Sequence, residues 1–501
     1  MEKADNRKNP SWVVSLIPLV FLILLLFFVI KFFGTEALSG GSQVALLLSA
    51  GLTIFISTVF YKVPWDDFEN AMKSNIKTVC ISLIILLLIG AIAGSWMVSG
   101  VVPTLIYYGM KIISPKIFLF AACILCALIS LMTGSSWTTI ATIGVALIGI
   151  GIAEGFSPGW IAGAIISGAY FGDKISPLSD TTILASSSTE TPLFTHIRYM
   201  MITTVPSITI ALIIFLTVSI LHETHDVVQV DVFSSALANT FNISPWLLLV
   251  PVLTAIMIIL KMPALPTLFI ASLLAGIFAL IFQPDIVWQI ANDGGDGFTS
   301  LTFRDGFKGL MQTYYGSTNI DTGSAQVNEL VSTTGMNGML NTVFLIMCAM
   351  VFGASMMGSG MIRSLTDQLI KIVRNRTGLV ASTVTTGIIS NITTSDQYLS
   401  IIITSSLFKD LYKEKGYESR LLSRSAEDSA TVTSVLIPWN TCGMTQATVL
   451  RVPTMVYFPY CFFNLISPLM SIFIAAIGFK IRRNVKAVTD EESGNQSTRN
   501  I

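Results

Sequence analysis

Charge is scarce in this sequence: only 12 % of its 501 residues are Asp, Glu, Lys or Arg, and 29 acidic side chains cancel 29 basic ones. A soluble domain carries about a quarter. The balanced charge and the lack of a basic stripe point away from a nucleic-acid partner. Histidine occurs three times and cysteine six. Cys123 and Cys126 form a C-x-x-C, but inside the apolar string FAACILCALIS and with no second pair, so they read as packing residues. His222 and His225 flank Glu223-Thr224 at a spacing of three, which fits a solvated turn rather than zinc, and His196 beside Arg198 reads as an interfacial histidine. No GxxxxGK[ST] loop, metal cluster or nucleophile–base set is present, which leaves an enzyme without support and no cofactor to expect.

What is abundant is apolar surface. Hydrophobic residues make up 52 % of the chain and the mean hydropathy is +0.73. Runs of about 18 or more apolar residues recur, the signature of an all-α polytopic membrane protein. Crossings are expected at 12–33, 44–61, 78–98, 159–188, 199–221, 244–260, 263–283, 338–358, 418–450 and 454–479. The first is too long for a signal-peptide core. Runs 116–153 and 377–412 are each split by a polar cluster, Thr133-Gly134-Ser135-Ser136 and Thr393-Thr394-Ser395-Asp396. Arms of about 16 residues sit near the lower limit for crossing, so two re-entrant hairpins with polar tips are expected. Segments 100–114 and 361–376 read as interfacial helices.

Basic residues concentrate in 1–11, 62–77, 361–376, 409–424 and 480–486, whereas 222–243 and 284–337 are richer in acids. Alternating through ten crossings puts all basic stretches and both termini on one side, the cytoplasmic face of the inner membrane by the positive-inside rule.

The two halves correspond. Thr133 precedes Pro177 and Thr394 precedes Pro438 by the same 44 residues, and Ser99-Gly100 is matched by Ser359-Gly360. The expected frame is an inverted-repeat secondary transporter with two re-entrant hairpins and two broken transmembrane helices. Its parts are N-terminal membrane helices (1–77) and a first repeat (78–221, hairpin 116–153, broken helix 159–188). Linker helices and an outer loop (222–337) lead to a second repeat (338–479, hairpin 377–412, broken helix 418–450) and a cytoplasmic tail (480–501).

The string GDKISPLSD, residues 172–180, places two acids, a lysine and a proline where a helix should continue. Pro177 opens the helix, over about 173–179. The opening must face protein or water, because lipid cannot satisfy freed backbone groups. Carbonyls, the hydroxyls of Ser176, Ser179 and Thr181, and the carboxylates of Asp173 and Asp180 then form a hard oxygen set suited to Na+. Buried acids are costly in a membrane, so these two read as ion or proton sites, against the plainer alternative of a structural salt bridge. Lys174 pairs with one of them or sits at the cavity edge. Tip hydroxyls Thr133, Ser135, Ser136 and Thr138 join as ligands or helix caps. From the second half come Asp396 at the tip and Asn440 and Thr441 beside Pro438. Glu427 and Asp428 form a second acidic site, a cytosolic funnel, or ion pairs with Arg420 and Arg424.

The strings SLMTGSSWTTIATIGVALIGIG and ISGAYFGDKISPLSDTTILAS closely resemble the signature segments of the NhaC-type Na+/H+ antiporters, within the wider ion-transporter superfamily. The similarity extends from the first hairpin through AEDSATVTSVLIPWNTCG to the final span. It implies Na+ coordination at Asp173 and Asp180 with help from the tip hydroxyls. It also implies an elevator-like or rocking movement of the hairpin bundle against a scaffold, and superfamily analogy implies a homodimer. Segment 284–337 departs from the pattern as an insertion.

Two transport functions fit. One is exchange of Na+ (with Li+ as a further candidate) for H+ at a midplane carboxylate site. The alternative is a Na+/H+-coupled organic-acid exchanger of the malate/lactate kind, with Lys174 or Arg451 as counter-ion.

Overall fold

The structure is a computed structural model that describes residues 10–33, 40–222, 227–260, 262–292, 298, 300–371 and 373–481. Among them the named elements are all helices, and isolated bridge residues occur at Thr318, paired with Thr333, and at Tyr417. Eight helices are long and apolar enough to cross a membrane, or up to ten if two bent pairs each count as one span. The chain is therefore a multi-pass membrane protein. The tail 482–501, the GGDG stretch and the turn at 223–225 lie outside the described residues.

In the first half run α1 (Trp12–Phe33), α2 (Gly41–Tyr61), α3 (Trp65–Val98) and α4 (Val101–Ile112). They are followed by α5 (Phe118–Thr133), α6 (Ser136–Ala153), α7 (Pro158–Ile175), α8 (Asp180–Ser188) and α9 (Leu193–Leu221). The second half holds α10 (Ala264–Phe282), α11 (Gly335–Gly358), α12 (Met361–Lys371), α13 (Arg376–Thr394) and α14 (Gln397–Glu414). It ends with α15 (Ser419–Ala426), α16 (Thr441–Leu450) and α17 (Phe462–Ile477). Helix α3 packs along α10 and α11, and α2 along α11, while α7 packs on α5 and α17.

Two expectations change. The span placed at 78–98 starts at Trp65, because residues 65–77 continue the helix with acids in its first turn, where the helix dipole favours them. The segment 284–337, expected as a loop, holds helices Pro284–Ala291, Phe303–Tyr315 and Ala325–Val331, with Phe303–Tyr315 packed on α3. Its exposed polar faces conceal the helical period in a hydropathy reading.

Small residues set the close contact of α7 on α5. A Cβ at Gly168 would sit 2.0 Å from the Cys123 carbonyl oxygen, and one at Gly172 would sit 2.2 Å from that of Ala127. Cys123 and Cys126 are fully buried in this apolar contact. The approach brings the C-terminal turn of α7 under the turn between α5 and α6. That turn exists because Gly134 adopts φ +66° and ends α5, after which Ser135 caps α6 by accepting from the Thr138 N–H. The arms Pro115–Thr133 and Ser136–Ala153 both pass the length criterion for spanning, so length alone does not separate a hairpin from two crossings.

Candidate functional site

Helix α7 ends at Ile175 and α8 begins at Asp180. Pro177 has no N–H to continue the ladder, and the Ser176 N–H closes the helix with a short bond to the Asp173 carbonyl, 3.1 Å. The interruption is thus narrower than 173–179: Asp173 and Lys174 lie in the last helical turn, and only 176–179 is unwound. Asp180 starts the next helix, so the two acids belong to different helices.

Asp173 is buried and faces the turn between α5 and α6. Its Oδ2 accepts from the Ser136 hydroxyl at 2.7 Å and from the Ser136 N–H at 3.1 Å. Ser136 is the first residue of α6, so a carboxylate from one helix holds the N-terminus of another. The Ser179 side chain also stands against this carboxylate. A cavity of about 310 Å³ opens beside it, bounded by Asp173, Asp180, Ser179 and Thr181 from the interruption. The tip contributes Thr133, Ser135 and Thr138 to the same wall. Ser179 caps α8 and shares a hydrogen bond with Thr181, 2.9 Å. Asp180 is exposed to this space.

Sequence reasoning missed Ser82, Trp137, Gln397 and Tyr398, which also line the cavity. Gln397 and Tyr398 open α14, directly after the second tip, so the first turn beyond a tip was the available signal. Ser82, a lone hydroxyl in an apolar run, gave none. No Lys or Arg lines the cavity among the described residues.

Ser176 does not join this group. It is buried and donates to the Leu131 carbonyl, 2.8 Å, which pins the unwound stretch to α5. Nor do Asp396, Asn440 and Thr441, which form a separate cluster of caps. Asp396 accepts from the Leu399 N–H at 3.0 Å and from the Thr441 hydroxyl at 3.2 Å. Asn440 caps α16 through the Cys442 N–H. Ser395 takes the left-handed conformation (φ 60°) that Gly134 takes in the first half.

Bond for bond, the two halves repeat at a spacing of 261 residues. Thr133 Oγ1 contacts the Ser135 carbonyl and the Thr139 hydroxyl, as Thr394 Oγ1 contacts the Asp396 carbonyl and the Ser400 hydroxyl. Ser130 donates to the Ala169 carbonyl and Asn391 to that of Ala430, both at 2.6 Å. The Ser136–Asp173 bond has its counterpart in Ser434 donating to Gln397 Oε1, 3.4 Å. Where the first half keeps a carboxylate, the second has a hydroxyl and an amide.

Lys174 reaches neither Asp173 nor Asp180. One position along the helix turns it about 100° away. It is fully buried and pairs with Asp428, with Ser467 as a second partner at 3.0 Å. Asp428 also accepts from Thr203 at 3.1 Å and lies 3.9 Å from Arg424 Nε. Arg424 is fully buried over the Tyr199 ring, 4.8 Å away. Arg420 pairs with Glu418 instead. Glu427, also fully buried, makes no hydrogen bond among the described residues. His196 is buried against Ser423, 2.8 Å, rather than interfacial, because α9 packs on α15. Arg451 donates to the carbonyls of Glu329 and Ser332. Of the expected site residues, seven therefore meet at one cavity, and Ser136 stands behind it.

A cavity lined by two carboxylates and several hydroxyls, in a chain with eight to ten helices able to cross a membrane, fits an ion-coupled transporter. Sequence comparison names the group. The profile of the Na+/H+ antiporter family matches residues 6–189 and 168–479, and the chain belongs to that family. It is 35 % identical over 437 residues to the Na(+)/H(+) antiporter NhaC of Bacillus subtilis (strain 168), covering 87 % of this chain and 92 % of that one. It is 36 % identical over 431 residues to NhaC of Alkalihalophilus pseudofirmus, covering 85 % and 89 %. It is also 33 % identical over 466 residues to the Malate-2H(+)/Na(+)-lactate antiporter of Bacillus subtilis (strain 168), covering 92 % and 94 %.

Proposed function

We propose that the protein exchanges Na+ for H+ at the cavity where Asp173 and Asp180 meet the hydroxyls of the first tip. One observation carries this reading: two carboxylates, six Ser or Thr hydroxyls and the Tyr398 phenol line one cavity that no Lys or Arg borders among the described residues. Hard oxygen donors with net negative charge suit a small cation. A cation bound to an ionised carboxylate and a proton on the same group exclude each other. Antiport then follows if the empty, ionised site does not cross. Asp173 holds the N-terminus of α6 while lining the cavity, and Asp180 lies at its exposed edge.

The recurrence of bonds at 261 residues supports an inverted repeat in which the tips are re-entrant and 176–179 and 437–440 are breaks in transmembrane helices. In that frame the bundle of tips and breaks moves against α2, α3 and α11. The protein sits in the cell inner membrane with both termini cytoplasmic.

Exchange of an organic acid of the malate/lactate kind is the second reading, favoured by the malate/lactate relative. The cavity argues against it. Lys174 is consumed by Asp428 and Arg451 by backbone carbonyls, so neither named counter-ion lines the cavity. The deciding experiment is reconstitution in liposomes with an internal pH dye. Na+ alone moves protons if the antiporter reading holds. Silence with every cation, followed by flux on adding malate or lactate, would overturn it.

A further inference from the structure

Helix α3 works as a ruler through the molecule. Its Asp67 borders a cavity of about 460 Å³, its Ser82 and Ile85 border the ion cavity, and its Ala93 and Met97 border a third cavity of about 670 Å³. Ser82 is 15 residues from Asp67 and 15 from Met97. At 1.5 Å per residue, Asp67 and Met97 each lie roughly 22 Å from Ser82 along the axis of α3, in opposite directions, so the ion cavity sits between the other two. Helix α11 gives the same order in reverse: Gly335 and Met339 border the largest cavity, Met357 and Gly358 the other.

The walls are continuous. Ser82, Ile85, Ile89, Ala93 and Met97 fall in a stripe about 120° wide on α3, so the face that borders the ion cavity runs on into the largest cavity. On α14, Tyr398 borders the ion cavity and Ile402, one turn (about 6 Å) further, borders the 460 Å³ cavity. The two outer cavities also match each other across the repeat: Met97 and Val145 of one correspond to Gly358 and Ser406 of the other, 261 residues on. Each holds one acid and one arginine, Asp67 with Arg363 and Glu329 with Arg451.

From this we infer that the two outer cavities are the vestibules through which a hydrated monovalent cation reaches the ion cavity, one from each side of the membrane. The turn between Tyr398 and Ile402 closes one route and the turn between Ile85 and Ile89 closes the other. The inference deepens the antiport reading and rests on it for the identity of the cargo, but the routes themselves depend only on geometry.

Thiol accessibility tests it in full-length protein carrying Cys80→Ser, since Cys80 is the exposed cysteine among the described residues. Ala93→Cys and Ser406→Cys are made singly and treated with a membrane-impermeant methanethiosulfonate cation, in right-side-out and in inside-out vesicles. Ala93→Cys should react from one face only and Ser406→Cys from the other only, at least tenfold faster than from the wrong side. Modification at either position should slow 22Na+ uptake at least tenfold. Reaction of both from the same face, no reaction at either, or full uptake after complete modification would each overturn the assignment. Thr448→Cys and Ile403→Cys, which border the same two cavities, replace a variant that does not reach the membrane. Sidedness is read without any ion gradient, so a result against Na+/H+ exchange in liposomes leaves this test intact.

Discussion

At the residue scale, the proposed antiport gives Asp173 two duties, and substitution can separate them. Asn in its place still offers an oxygen to the Ser136 N–H and hydroxyl, so the tip stays docked, but the charge that holds a cation is gone. Asp173→Asn should therefore insert and melt like the parent while Na+-driven proton flux falls by on the order of a hundredfold, about 2.7 kcal/mol. Parental flux in liposomes would remove Asp173 from the exchange. Asp180→Asn should behave alike in flux and leave packing alone, because Asp180 is exposed and its carboxylate makes no ion pair among the described residues. Ser136→Ala takes the opposite path. It keeps the charge and removes one of the two bonds that orient it, so flux should fall about tenfold, near the worth of a hydrogen bond to a charged group. An effect as large as that of Asp173→Asn would mean that Ser136 contacts the ion itself.

At the element scale, the site depends on how two helices end. Gly134 holds φ +66°, and a Cβ there would meet the backbone carbon of Leu178 at 2.7 Å. Gly134→Ala should strain the turn by about 1–2 kcal/mol and lift the tip off the unwound stretch. The apparent KM for Na+ should then rise while the amount of protein in the membrane is unchanged. Gly51→Ala, in the middle of α2 with nothing within 4 Å of its added Cβ, is the control and should be neutral or slightly stabilising. These endings also show what the sequence made legible. Pro177 and the acids around it announced an interruption, since a missing N–H is a local property. The extent of the interruption was not local: its first residue, Ser176, is bound to Leu131 on α5, a tertiary contact that no local pattern announces. The direction of Lys174 was likewise invisible, because its partner Asp428 lies 254 positions away and only tertiary packing joins them. The second tip misled for a related reason. Asp396 has the composition of a ligand, yet its carboxylate is spent capping α14 and receiving Thr441, and only its neighbours Gln397 and Tyr398 reach the cavity.

At the scale of the whole molecule, the Lys174–Asp428 pair fastens the first interrupted helix to the second at full burial. Asp428 lies near two cations, Lys174 and Arg424, so its loss strands both, whereas loss of Lys174 leaves Asp428 with Arg424 at 3.9 Å. Breaking a buried pair from one side costs about 3–5 kcal/mol. Asp428→Asn should accordingly lower the apparent melting temperature in detergent more than Lys174→Met does, and the reverse order would mean that Glu427 rather than Asp428 balances the cluster. That fastening has a consequence for exchange. If the two interrupted helices travel together, the state of the ion cavity is felt by both, and the protein faces one side or the other as a unit. The competition at Asp173 and Asp180 then sets the pH response of the whole cycle. Below the pKa of the controlling carboxylate, each unit of acidification removes most of the ionised sites, so the apparent Kd for Na+ should rise about tenfold per pH unit. Above that pKa the Kd should be flat. The sign is fixed, because protonation can only weaken a cation site built from carboxylates. Titrating 22Na+ binding to the purified protein between acid and alkaline pH measures the slope directly. A Kd that stays constant across the range would mean that proton and sodium occupy different groups, and the exchange would need a second site to couple them.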